Sequence, residues 1–461
     1  MIQKLVRRLS KSELQTEQDD AFKLILLSLT NFFIIGSYSI LRSLKTSIFL
    51  GLVGKEYAPH TRIITILLLI PTMILYAKLV DRLKRYQLVY FFLGVYGILC
   101  IVFAYFLNHS VYGLHNTLTS PWRLLGWSFE IFMDLYQALI VGTFWSFVNS
   151  VSTPSFANGN YGFIVAAARV GGILTPFLSL LLLEKARLES WTSIPLLVII
   201  SAFLLLGAAF CIYYLTKKVS PNHLHGYQAA YDADKKIEHS STKPTVWEGI
   251  KLMLTEPYVL GIFAMVYGFE IVNVIFDYQM QVLMSIEHNN EILAMSTFML
   301  FYTGTFQTLS LLLALFGTST LPKKIGVQKC LLIMPITVIV LTFCLLSLPK
   351  LSTIFIVCVI MRAVHYGFNQ PIREILYIPT VKDIQFKSKA WIDSFGRSFS
   401  KTSGSVVNMA TIASSVPYFA LLIQSSFSLI IAMIWAVAAF MVGKKYQTTI
   451  ENNEVIGKNL K

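Results

Sequence analysis

Stretches of about 20 apolar residues recur from one end of this chain to the other, and that recurrence limits the fold more than any motif does. A helix rises about 1.5 Å per residue, so about 20 apolar residues cross the hydrocarbon core of a bilayer. Apolar windows place spans near 22–43, 61–80, 87–108, 124–150, 160–183 and 193–216, and, after a polar stretch, near 257–284, 292–317, 328–348, 351–376, 391–415 and 418–442. With 55% hydrophobic and 13% charged residues over 461 positions, the chain is expected to be an all-α membrane protein with twelve transmembrane helices, six plus six.

The formal net charge of +14 raises the question of a nucleic-acid partner. Lysine and arginine cluster instead in alternate loops: the N-terminus, "DRLKRYQ" at 81–87, the central stretch, "PKKIGVQK" at 322–329, "VKDIQFKSK" at 381–389 and the C-terminal tail. Membrane topology explains that pattern without nucleic acid, and it puts both termini and the central stretch in the cytoplasm. The expected organisation is a cytoplasmic N-terminal segment (1–21), a six-helix bundle (22–216), a cytoplasmic linker (217–256), a second bundle (257–442) and a cytoplasmic tail (443–461).

Residues 1–20 mix Lys4, Arg7, Arg8 and Lys11 with Glu13, Glu17, Asp19 and Asp20 and lack the apolar core of a signal peptide, so the first span itself is expected to direct insertion. Cys100, Cys211, Cys330, Cys344 and Cys358 fall in or beside apolar runs without metal-ligand spacing. No HExxH or paired CxxC occurs, and "GRSFSKTSG" at 396–404 has Ser400 where a P-loop needs glycine. No enzyme activity, metal or cofactor is expected.

Sliding the chain on itself by about 230 residues lays Gly36 over Gly268, Lys45 over Asp277, and Asp134 opposite His365. The near-common offset favours two six-helix bundles in a major-facilitator-like, pseudosymmetric arrangement, whose first, fourth, seventh and tenth helices would line a central cavity. Ionisable residues inside spans concentrate in those four and in the fifth and eleventh. They are Arg42, Lys45, Glu130, Asp134 and Arg169 in the first half, and Glu270, Asp277, Arg362, His365, Arg373, Glu374, Asp393, Arg397 and Lys401 in the second. A charge at the bilayer centre costs roughly 2.5–3.5 kcal/mol on insertion scales, so such residues pair with each other or line a path. Arg42 and Lys45, near the expected end of the first span, could also snorkel to the interface.

Asp393, Arg397 and Lys401 stand four apart on one helix face, as do Glu130 and Asp134, while Arg42 and Lys45 stand three apart. A cationic face in a dry cavity calls for an anion, and phosphate suits the guanidinium fork. Arg42, Lys45, Arg169, Arg373, Arg397 and Lys401 are therefore candidate substrate-binding residues. Asp134, Asp277, Glu374, Asp393 and His365 are candidates for gating or proton coupling.

"SYSILRSLK" at 37–45, "FWSFVNSVSTPSFANGNYGFIVAAARVGGIL" at 144–174 and "QPIREILYIPTVKDIQFKSKAWIDSFGRSFSKTSG" at 370–404 resemble the nucleotide transporters of the ATP/ADP antiporter family of plastids and intracellular bacteria. The resemblance implies a twelve-span carrier of the bacterial inner membrane that exchanges ATP for ADP plus phosphate or imports nucleotides. The family's essential charges fall on Lys45, on Asp134 in place of a glutamate, and on Arg373 and Glu374 in place of a Lys-Glu pair. The seventh span departs from the pattern: where the family has a glutamate followed four residues on by a lysine, this chain has Asn273 and Asp277. An acid at Asp277 fits the alternative of proton-coupled transport of another small metabolite on the same scaffold.

Overall fold

The computed structural model describes residues 2–219 apart from 153, 187 and 188; 251–317 apart from 252; 324–412 apart from 382, 383 and 385–387; and 417–457. Most of the expected linker, and the last four residues of the tail, lie outside the described residues. The chain is nearly all helix, and the one β-type pairing among the described residues is an isolated parallel bridge between Thr380 and Ile456.

In chain order the helices are α1 (Ile2–Leu52), α2 (His60–Arg82), α3 (Arg85–Leu107), α4 (Leu124–Val151), α5 (Pro154–Ala186) and α6 (Ser190–Lys218). They continue with α7 (Pro257–Glu287), α8 (Ile292–Gly317), α9 (Val327–Ser347), α10 (Leu351–Ile375), α11 (389–412) and α12 (Pro417–Glu451). Among the described residues, eleven of them are long and apolar enough to cross a membrane. The exception is α11, where Asp393, Arg397 and Lys401 sit inside the helix. Large apolar side chains such as Leu67, Ile70, Phe203 and Phe210 are exposed on outer faces, as a protein solvated by lipid requires.

The first helix corrects one expectation. It runs on to Leu52, so Arg42 and Lys45 lie well inside it rather than near its end. Lys45 is 7% exposed, which rules out snorkelling for that side chain.

The contacts divide the chain into two units, one comprising Met1–Val53, Leu68–Thr242 and Ile292–Gly304, the other Gly54–Leu67, Lys243–Glu291 and Thr305–Lys461. In the first, α1 packs on α4, α5 and α6, and α3 packs on α6. In the second, α7 packs on α10, α11 and α12, and α9 packs on α12, which is the same scheme six helices later. Two pieces of backbone repeat with it. A π turn interrupts α4 at Gln137–Val141 and α10 at His365–Asn369, 228 residues on.

The crossings of α1 with α5 and of α7 with α11 repeat as well, and both depend on glycine. A Cβ on Gly171 would stand 2.4 Å from the Phe32 carbonyl oxygen, and one on Gly404 would stand 3.0 Å from that of Ile271. Each crossing is then tied by an asparagine: Asn31 donates to the Ile164 carbonyl and Asn408 to that of Val274. Small residues permit this approach, and an amide bond across the gap holds it in a medium without competing water. Gly171→Val is accordingly expected to destabilise the first unit by about 1–3 kcal/mol through overpacking against backbone. The thermal unfolding temperature of purified protein measures this, and an unchanged temperature would contradict the close crossing.

Candidate functional site

In the first unit the charges meet where α4 lies against the C-terminal third of α1. Lys45 Nζ donates to Glu130 Oε1 at 2.7 Å and to Asp134 Oδ1 at 2.6 Å. The two carboxylates share one face of α4 because they are four residues apart. All three side chains are no more than one-tenth exposed, so this ammonium is already spoken for by two acids within the same unit. Arg42 lies half-buried over the Tyr38 ring at 5.8 Å, and Arg169 sits half-buried on α5.

The second unit holds a larger array on α7, α10 and α11. Arg362 Nη2 is paired with Asp277, and its Nε donates to Asn273 Oδ1 at 3.3 Å. Arg397 donates to Asp393 at 2.9 Å, while Arg373 approaches the same carboxylate only to 4.0 Å. Lys401 lies 3.9 Å from Glu270 on α7. The face shared by Asp393, Arg397 and Lys401 therefore splits, with Arg397 turning to its own helix and Lys401 to a neighbour. His365 is buried and stacks face to face on Phe269, with ring centroids 3.3 Å apart, and Asn369 lies 3.4 Å from its Nδ1.

Below this array Lys389 pairs with Glu374 and lies over the Tyr377 ring at 5.2 Å. Tyr377 lies just past the end of α10, and burial pushes its phenol above the ordinary range, keeping it a proton donor.

The array carries four cations, Arg362, Arg373, Arg397 and Lys401, for the three carboxylates of Asp277, Asp393 and Glu270. The surplus rests on Arg373. Its side chain is 3% exposed, its nearest carboxylate oxygen is beyond hydrogen-bonding distance, and its buried Nη2 has no hydrogen-bond partner among the described residues. Arg397, close enough to repel it, also keeps a buried Nε without a hydrogen-bond partner among the described residues. A buried guanidinium left so poorly compensated has hydrogen-bonding capacity to spare for an anion.

The structure thus gathers Arg373, Arg397, Lys401, Asp393, Asp277 and His365 in one unit, and Lys45 with Asp134 in the other. Four participants were not among the candidates: Glu130, Glu270, Arg362 and Lys389. Glu130 had a legible signal, four residues before Asp134 on one helix face. The roles of the others depend on which neighbouring helix each meets. The repeat alignment also shifts, because the matched π turns put Arg362, not His365, opposite Asp134.

Comparison with known proteins agrees with the fold. Over 95% of its length the chain is 23% identical to ADP,ATP carrier protein 1 of Rickettsia prowazekii, covering 96% of that protein, and over 92% it is 23% identical to ADP,ATP carrier protein 1 of Chlamydia muridarum, covering 88%. Among solved structures it is similar to a bacterial homologue of the iron transporter ferroportin, with TM-score 0.59 and 12% identity over 92% of this chain and 98% of that one. It is also similar to the xylose transporter XylE, with TM-score 0.58 and 10% identity over 89% and 94%. At such identities the solved structures speak for the fold alone, a transporter fold of the major-facilitator type. The model of the TLC ATP/ADP transporter family matches residues 6–446, and with nearly the whole chain matched, this protein belongs to that family.

Proposed function

We propose that this chain moves nucleotides across the inner membrane of a bacterium by alternating access, exchanging ATP for ADP or importing nucleotides. The buried, under-compensated guanidinium of Arg373 carries the reading, because a phosphate oxygen supplies the hydrogen-bond acceptor that Nη2 lacks. Arg397 offers a second donor through Nε, and Asp393, shared between the two arginines, is the counter-charge they hold in the absence of substrate. Lys401 supplies further positive charge within the same unit, and Lys45, Arg42 and Arg169 supply it in the first unit. Asp134, Asp277 and Glu374 pair with cations in the resting state, and exchanging those pairs for phosphate contacts drives the change of conformation. Both termini lie in the cytoplasm on this reading, as the loop cations suggest.

The test is uptake of labelled ATP, ADP, other nucleotides and NAD into cells expressing the chain, with and without ADP preloaded inside. Uptake of at least one nucleotide well above that of control cells is expected, and acceleration by internal ADP identifies exchange. No nucleotide uptake from protein shown to be in the membrane would end the proposal.

One observation favours a second reading, proton-coupled transport. Lys45 Nζ is shared by the buried carboxylates of Glu130 and Asp134, side chains of the kind that relay protons inside membranes. Uptake that collapses with a protonophore and ignores internal ADP would select this reading.

A further inference from the structure

Asp134 and Arg362 each stand three residues before the π turn of their helix, on α4 and α10. Each is bonded to a charged side chain on the first helix of its bundle, Asp134 to Lys45 on α1 and Arg362 to Asp277 on α7. The two pairs occupy equivalent places with opposite polarity.

We propose that Arg362 is a phosphate-binding cation of this transporter, and that Asp277 is a built-in counter-anion which the phosphate of the substrate displaces. The assignment rests on the reading of the chain as a carrier of phosphate-bearing substrates, and it names a residue of that same site.

The two partners are held unequally. Arg362 keeps supports that do not involve Asp277: its Nε donates to Asn273 Oδ1 at 3.3 Å, and its guanidinium lies over the Phe306 ring at 5.6 Å. Asp277 is bound through one oxygen only. Oδ2 accepts from Arg362 and, at 3.3 Å, from the Asn273 amide, while the buried Oδ1 has no hydrogen-bond partner among the described residues. A carboxylate that buries an unsatisfied oxygen makes poor use of the guanidinium fork, and a phosphate group, with more acceptor oxygens, makes better use of it. Exposure points the same way: the Asp277 side chain is 19% exposed and that of Arg362 6%, so the acid is the member that can turn aside while the arginine stays in its seat.

A purely structural ion pair predicts something different. Removing either member of a lock weakens the fold and leaves ligand affinity per folded molecule unchanged. Removing a competing anion tightens ligand binding.

The experiment compares wild type, Asp277→Asn, Arg362→Gln and Arg362→Lys as purified full-length protein in detergent. Binding of AMP, ADP, ATP and inorganic pyrophosphate is followed by titration and by the ligand-induced rise in unfolding temperature. Asp277→Asn is expected to bind ATP and pyrophosphate about 10-fold more tightly than wild type. Arg362→Gln is expected to bind them about 10-fold or more weakly, with the loss growing from AMP to ATP, and Arg362→Lys to fall between. An Asp277→Asn protein that binds no more tightly, or an Arg362→Gln protein that loses the same factor for AMP and ATP, overturns the assignment.

Should Asp277→Asn yield no folded protein, the AMP-to-ATP comparison in Arg362→Lys decides by the same criterion. A wild type that binds pyrophosphate but no nucleotide, with the variants behaving as above, sinks the nucleotide reading and leaves Arg362 in place. A wild type that binds none of the four overturns both.

Discussion

Arg373→Gln is expected to reduce nucleotide uptake by about 30-fold or more while leaving the amount of protein in the membrane unchanged. Truncating a buried charged group that bonds a ligand costs about 2–5 kcal/mol of binding, and 1.4 kcal/mol is a factor of ten. The fold should tolerate the change for a reason specific to this site. Arg373 has no close carboxylate, its approach to Asp393 being 4.0 Å, and it is repelled by Arg397. Glutamine in its place removes that repulsion and leaves Asp393 with its 2.9 Å bond to Arg397. Arg373→Lys keeps the charge but loses the fork and is expected to retain an intermediate rate. The check is initial uptake of labelled ATP normalised to immunodetected protein. Uptake of the glutamine variant within threefold of wild type would remove Arg373 from the site.

The second large effect lies at Lys45, and here stability and transport should separate. Lys45→Ala leaves Glu130 and Asp134 buried and four residues apart without their shared cation. Breaking a buried ion pair from one side costs about 3–5 kcal/mol, because the charges that remain keep their desolvation penalty. The single variant is therefore expected to lose both transport and thermal stability. Adding Glu130→Gln and Asp134→Asn neutralises the cluster, and this triple variant should regain most of the stability and none of the transport. Loss measured by heating detergent extracts before size-exclusion chromatography tests the first half, and uptake the second. A Lys45→Ala protein as heat-resistant as wild type would mean that the triad does not hold α1 to α4.

These expectations differ from what the sequence suggests because pairing depends on the third dimension. The in-span charges could be enumerated from the chain, and their concentration in the first, fourth, fifth, seventh, tenth and eleventh spans was visible. Which cation meets which acid was not. Lys45 looked like an available anion-binding group, yet it is held at 2.6 and 2.7 Å by two carboxylates. Asp277 looked like a loss of positive charge, yet it faces Arg362 on the next helix of the array. His365 looked like the counterpart of Asp134, until the π turns at Gln137–Val141 and His365–Asn369 set the register three residues away.

Element boundaries were legible for a different reason. A bilayer leaves a backbone few options, and an apolar run of about 20 residues must satisfy its own amides as a helix. The expected span 351–376 and the observed helix Leu351–Ile375 differ by one residue. The misjudged ends are those where a helix continues past the apolar window: α1 runs on to Leu52, and α12 continues to Glu451 instead of stopping near 442. Hydropathy reports where lipid begins and ends, whereas helical hydrogen bonding continues into water or protein until a turn interrupts it.

By itself, then, the sequence determined the class, the helices, the internal repeat and the set of buried charges, because hydrophobic length and charge placement are local properties paid for residue by residue. The tertiary structure alone decided which of those charges cancel and which remain. Coulombic energy falls with distance in a medium that screens it weakly, so a difference between 2.6 Å at Lys45 and 4.0 Å at Arg373 separates an occupied cation from an available one.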